Sequence, residues 1–135
     1  MADKAMIVTF FGSGFDLPML RKRFPQVPLD QIHFDLCPGF RRIGMRGGLK
    51  QIERDVGIER TDGAYGLNGR DAIFLWNRYR YGDLGALDRL IAYNRADVVN
   101  LEALSYICFE RLARQTLDAA GLGHHAKEMV ARRLL

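Results

Sequence analysis

Residues 5–18 read AMIVTFFGSGFDLP, and the parsing of this stretch decides the fold. Ala5 to Phe11 is a continuous apolar and β-branched run, the pattern of a strand buried on both faces. The glycines of GSG break it, and PMLRKRF beyond them reads as a short helix. Pro18 falls in the first turn of that helix, where a missing N–H costs nothing. Asp16 sits at the junction. In an open α/β sheet, sites gather where the carboxyl end of a strand gives way to a helix. A carboxylate there can hold a metal, or can equally cap the helix by accepting bonds from its first N–H groups. As a phosphate cradle GSG is poor, because neither a longer glycine pattern nor a lysine follows it.

Working outward, IHFDL predicts a second short strand, Ile32 to Leu36, followed by an arginine- and glycine-rich loop through Gly48. From there the chain reads as helical. In LKQIERDVG, Leu49, Ile52 and Val56 share one face and Gly57 is a natural stop. Ala72, Leu75, Trp76 and Tyr79 repeat the pattern in RDAIFLWNRY. The longest helix runs from about Leu84 to Ala119, with Leu87, Leu90, Ile91, Val98, Leu101, Leu104, Cys108 and Leu112 as its expected core stripe. Its length predicts a bend or break. GLGHH then sets off a short basic tail helix over 124–135. A strand buried on both faces needs several neighbours, yet only one other strand is found. The first strand is therefore expected to leave an open edge, which either a second chain covers or strands that belong before residue 1.

The composition suits one soluble domain: 135 residues, 48% hydrophobic and 27% charged. No apolar run reaches the length of a membrane span, and no signal peptide opens the chain, so a cytoplasmic protein without membrane association is expected. Cys37 and Cys108 stand far apart among apolar neighbours, the signature of a reduced, buried pair. Sixteen arginines against four lysines dominate a net charge of +4. They cluster at Arg21 to Arg23, Arg41 to Arg46 and Arg78 to Arg80. Guanidinium forks suit phosphate, so the clusters fit a polyanionic partner, or simply a solvated arginine-rich surface.

The polar residues of LIAYNRADVVNL, 90–101, carry the chemistry. Four helical residues rise about 6 Å and slightly exceed one turn, so Tyr93 and Asp97 share a face beside the apolar stripe. A carboxylate at the edge of a buried face needs a partner, and a metal ion or an arginine can serve. Asn94 and Asn100 add polarity to the same helix. Elsewhere, His33 reads as a packed strand residue, Asp35 as a structural or substrate-loop residue before a metal ligand, and His124 and His125 as surface histidines of a loop before weak metal ligands. Trp76 and Tyr79 read as core. Phe10, Phe11 and Phe15 can stack on a base, but at least two of them are expected inside. Arg46 and Lys50 are candidate phosphate contacts.

Taken in order, FGSGFDLPML, IHFDL, GGLKQIERDVGIER, LWNRY and LIAYNRADVVNLEAL resemble the YprB-like ribonuclease H-fold domains of the DnaQ-like 3′–5′ exonuclease superfamily. The resemblance covers nearly the whole chain. In that superfamily four acidic residues bind two divalent metals, and a Tyr or His four residues before the last acid orients the attacking water. The resemblance thus implies that Asp16 is the second acidic motif, Asp97 the last, and Tyr93 the water-orienting residue of the tyrosine subtype. Two metals about 3.5–4 Å apart would clamp the attacking and leaving oxygens of a phosphodiester, and carboxylates suit Mg²⁺ or Mn²⁺.

This sequence departs from the family twice. The first motif, an Asp-x-Glu on the opening strand, has no counterpart before Ala5. Phe11 stands where the family usually has an asparagine in a YNG turn, which removes that residue's contribution to ordering the turn around Asp16. The expected fold is therefore α/β, a partial ribonuclease H-like fold of two strands followed by a mainly helical part, forming one N-terminally incomplete domain over 1–135. The expected function is metal-dependent hydrolysis of single-stranded DNA or RNA ends, with little or no activity in this chain alone. The alternatives are a non-catalytic nucleic-acid-binding module, or an assembly subunit that pairs through its open strand edge as a homo-oligomer or with another chain.

Overall fold

The computed structural model describes residues 5–59, 67 and 69–123. The expected tail helix over 124–135, with His124 and His125, lies outside the described residues. Strand β1 (Met6–Thr9) leads through helix α1 (Asp16–Arg23) to strand β2 (Ile32–Asp35). Helices α2 (Leu36–Arg42), α3 (Leu49–Val56), α4 (Gly69–Arg80) and α5 (Leu84–Ala119) follow. This is an α/β arrangement of two parallel strands and then helices, as the resemblance implies. The chain forms two compact units: residues 1–52 with 101–135, and residues 53–100.

In the first unit β1 and β2 pair in parallel, Ile7 opposite His33 and Thr9 opposite Asp35. Period-two alternation puts Ile7, Thr9, His33 and Asp35 on one face of the pair. Among the described residues each strand has no neighbour on its other edge. The expectation of a β1 buried on both faces is corrected: Met6 is 47% exposed, and Ile7, Val8 and Thr9 are only half-buried. One neighbouring strand cannot cover both sides of such a run. Leu17, Leu29, Leu36, Cys37, Phe40, Ile52, Leu104 and Cys108 are the buried apolar residues of this unit.

Helix α2 replaces the first half of the expected arginine- and glycine-rich loop, whose remainder, residues 43–48, is non-helical as expected. Asp35 starts it, accepting the Cys37 N–H at 3.2 Å as an N-cap. Pro38 lies in the first turn, where its missing N–H has no intrahelical partner to lose. Gly39 is required by packing, since a Cβ there would come 2.7 Å from Cys108 Sγ. Helix α3 stops where the sequence predicts. Gly57 takes φ +78°, its N–H donates to the Arg54 carbonyl and that of Ile58 to the Glu53 carbonyl, a Schellman motif.

In the second unit Leu75 of α4 and Ala86 of α5 are buried. Trp76, expected in the core, is 49% exposed and tilts against Tyr79 with ring centroids 5.6 Å apart. Helix α5 runs for 36 residues between the expected bounds, Leu84 and Ala119, and the expected break is absent. Its covered side holds most of the expected stripe and adds polar residues to it. Ala86, Leu90, Tyr93, Asp97, Asn100, Leu104 and Cys108 are among its buried or half-buried positions, as are Leu87, Leu101 and Leu112 of the expected stripe. At about 100° per residue, Ala86, Leu90, Tyr93, Asp97, Asn100, Leu104 and Cys108 fall within an arc of about 80°. Ile91 and Val98, expected in the stripe, are 57% and 60% exposed on the other side of the helix.

Candidate functional site

In the first unit the turn from β1 to α1 hangs on Asp35. Its carboxylate accepts the N–H of Phe11 at 2.7 Å and the N–H of Ser13 at 3.0 Å, and also takes the Ser13 hydroxyl. With the Cys37 N–H, one side chain fixes the start of α2 and the end of β1 together. Burial pushes the Asp35 carboxyl up. The Ser13 hydroxyl and the N–H groups of Ser13, Phe11 and Cys37 outweigh it, and the net shift is below the ordinary carboxylate value. The adjoining residues are tied in as well. Thr9 Oγ1 meets His33 Nε2 at 2.8 Å and accepts the Gly12 N–H at 3.2 Å. The structural reading of Asp35 and the packed reading of His33 are both met.

Phe11 is the one non-glycine residue with a positive φ, +65°, among the described residues. Asparagine tolerates this left-handed conformation, whereas phenylalanine adopts it at a cost of about 1–2 kcal/mol. Order that the sequence reading assigns to an asparagine is supplied here by Asp35. At least two of Phe10, Phe11 and Phe15 are expected inside; instead Phe11 is 53% and Phe15 60% exposed, and Phe10 is half-buried. Asp16 follows as the first residue of α1 and is exposed. It is not the N-cap; Phe15 holds that position and offers no side-chain bond.

In the second unit Tyr93 and Asp97 are half-buried on the covered side of α5, one turn apart. Asp97 Oδ1 is shielded from solvent. Asn100, one turn further, donates from Nδ2 to Glu53 Oε1 at 2.8 Å. Glu53 is 2% exposed, and the sequence reading overlooked it. The signal was present: with Leu49, Ile52 and Val56, Glu53 completes the i, i+3, i+4, i+7 face of α3. Of the two candidate phosphate contacts, Arg46 is exposed, while the Lys50 ammonium is buried.

The donors are carboxylates, the right kind for Mg²⁺ or Mn²⁺. Their number falls short. No three His, Cys, Asp or Glu side chains among the described residues stand together so as to hold a metal ion. The described residues therefore do not by themselves build the two-metal centre that the resemblance implies. No helix among them is long and apolar enough to cross a membrane.

A family model described as RNase_H superfamily (RNase_H_2) matches residues 1–108 of the chain. No curated protein and no solved structure matches the chain.

Proposed function

Because this chain belongs to the RNase_H superfamily, we propose that it is a nuclease-type domain of the DnaQ-like, YprB-like kind. Its substrate would be the 3′ end of single-stranded DNA or RNA. The supporting observation is the covered side of α5. A helix that leaves Ile91 and Val98 in solvent half-buries Tyr93, Asp97 and Asn100 beside Leu90. Burying polar groups in preference to available apolar ones costs stability, so a polar stripe of this kind indicates chemistry. Asp97 and Asp16 are proposed as metal ligands and Tyr93 as the residue that orients water. Exposed Arg46 is proposed to contact phosphate, with the contribution of Lys50 limited by its buried ammonium. The bound Mg²⁺ or Mn²⁺ would supply the activated water and stabilise the leaving oxygen. A cytoplasmic location fits two free, buried cysteines.

The test is a 5′-labelled single-stranded oligonucleotide incubated with the purified chain in Mn²⁺, beside Asp97→Asn and Asp16→Asn. Little or no shortening is expected from the chain alone, given the two carboxylates. Paramagnetic broadening by Mn²⁺ should nonetheless centre on residues near Asp97 and Asp16 and vanish in the matching variant. Absence of broadening at both positions would sink the reading. A second reading, a non-catalytic nucleic-acid-binding module, is favoured by the same shortage of donors and by the exposed arginines of α1 and α2. It requires strongly salt-dependent binding to single strands that neither EDTA nor Asp97→Asn alters.

A further inference from the structure

The turn beside Asp16 combines features that protein stability alone disfavours. Phe11 holds a left-handed backbone that costs a non-glycine residue energy, and four bonds to Asp35 from Phe11, Ser13 and Cys37 keep it there. Strained non-glycine residues persist where the surroundings over-determine them, and they concentrate at ligand sites. The strain does not serve to bury the ring, since Phe11 is 53% and Phe15 60% exposed. Burial was available nearby, because Leu17, two residues on, is 4% exposed. The Phe11 ring also lies close over the turn itself: a Cβ on Gly14 would be 3.0–3.4 Å from its ring carbons. Glycine at that position lets the ring settle in a fixed place. Helix α1 then ends in exposed Arg21, Lys22 and Arg23.

Two exposed aromatic rings at the start of α1, with a cationic end about 9–12 Å further along that helix, are the parts of a single-strand binding surface. Rings stack on bases regardless of sequence, while cations follow the phosphates. We propose that Phe11 and Phe15 form a stacking platform for unpaired nucleobases, which Asp35 holds in place and the basic end of α1 serves from the phosphate side. This deepens, and rests on, the nucleic-acid reading of the site. It needs no metal.

The experiment compares two single-stranded 8-mers of equal charge, oligothymidylate and a fully abasic phosphodiester, each carrying a 5′ fluorophore. Anisotropy titrations are run in EDTA at low salt. Equal charge cancels the phosphate contribution, so the affinity ratio reports base stacking. The wild-type chain is expected to prefer oligothymidylate by between about fivefold and a hundredfold. In Phe11→Gly/Phe15→Ala that ratio should fall to within about twofold, with abasic binding unchanged. Phe11→Gly accepts the left-handed backbone, so the fold should survive the loss of the ring. Phe11→Tyr/Phe15→Tyr keeps both rings and should keep the preference. Equal wild-type affinity for the two strands, no binding of either, or a preference that survives removal of both rings overturns the platform. A base preference without any Mn²⁺ broadening at Asp97 or Asp16 would leave the platform standing and remove the metal-dependent reading; the reverse pattern would do the opposite.

Discussion

The turn that carries Asp16 and the helix that carries Tyr93 and Asp97 are fixed in opposite ways. At the turn, a single carboxylate, Asp35, gathers backbone N–H groups from two segments more than twenty residues apart. The geometry depends on one side chain and on long-range closure. On α5, regular intrahelical hydrogen bonding already sets the spacing, and neighbouring side chains such as Glu53 only steady the face. A turn built in this way is easily broken and places its side chains unusually, with Phe11 at φ +65°. A helix is robust, but it presents only what its period allows.

The largest effect should follow from Asp35→Ala. Removing an ionised acceptor and an N-cap together should destabilise the chain by about 2–4 kcal/mol, read from urea unfolding at neutral pH. A loss below about 0.5 kcal/mol would mean that the turn does not depend on this clamp. Acid sharpens the same point. The folded pKa of Asp35 lies below its unfolded value, so its contribution is fully present above about pH 4 and is lost as pH falls through the folded value. In Asp35→Asn that component of the acid dependence should disappear, while the rest of the acid transition remains.

On the helical side, Asn100→Ala withdraws a donor from buried Glu53 and should cost about 1–2 kcal/mol. If it costs as much as Asp35→Ala, the contrast between the regions fails. Phe11→Gly relieves the left-handed strain but frees the unfolded chain, so stability should hold or rise by up to about 1 kcal/mol. A drop would show that the ring packs more than its exposure implies. The smallest change is expected for Asp16→Asn, within about 0.5 kcal/mol, because the residue is exposed and only favours the first turn electrostatically.

The same contrast explains what the sequence could reveal. Helical periods are local, so both ends of α5, the stop at Gly57 and the shared face of Tyr93 and Asp97 were all legible. Helix α2 was hidden because Pro38 and Gly39 look like breakers. Whether proline sits harmlessly in a first turn depends on Asp35 capping it, and Gly39 answers to Cys108, 69 positions away. The exposure of Phe11 and Phe15 was equally out of reach, since aromatic residues beside an apolar strand ordinarily pack. Ile91 and Val98 failed for a subtler reason. Apolar residues occur on both sides of α5, and only tertiary packing chooses which side is covered.

The close approach of Gly39 to Cys108 also makes the first unit its own clock. Cys108 is 0% exposed, and burial pushes its thiol up to about 11. At neutral pH the folded protein therefore offers almost no thiolate to an alkylating reagent. Labelling of this cysteine should proceed only through molecules in which α2 has come away from α5. Its rate, followed by mass, would measure how often the packed helices open.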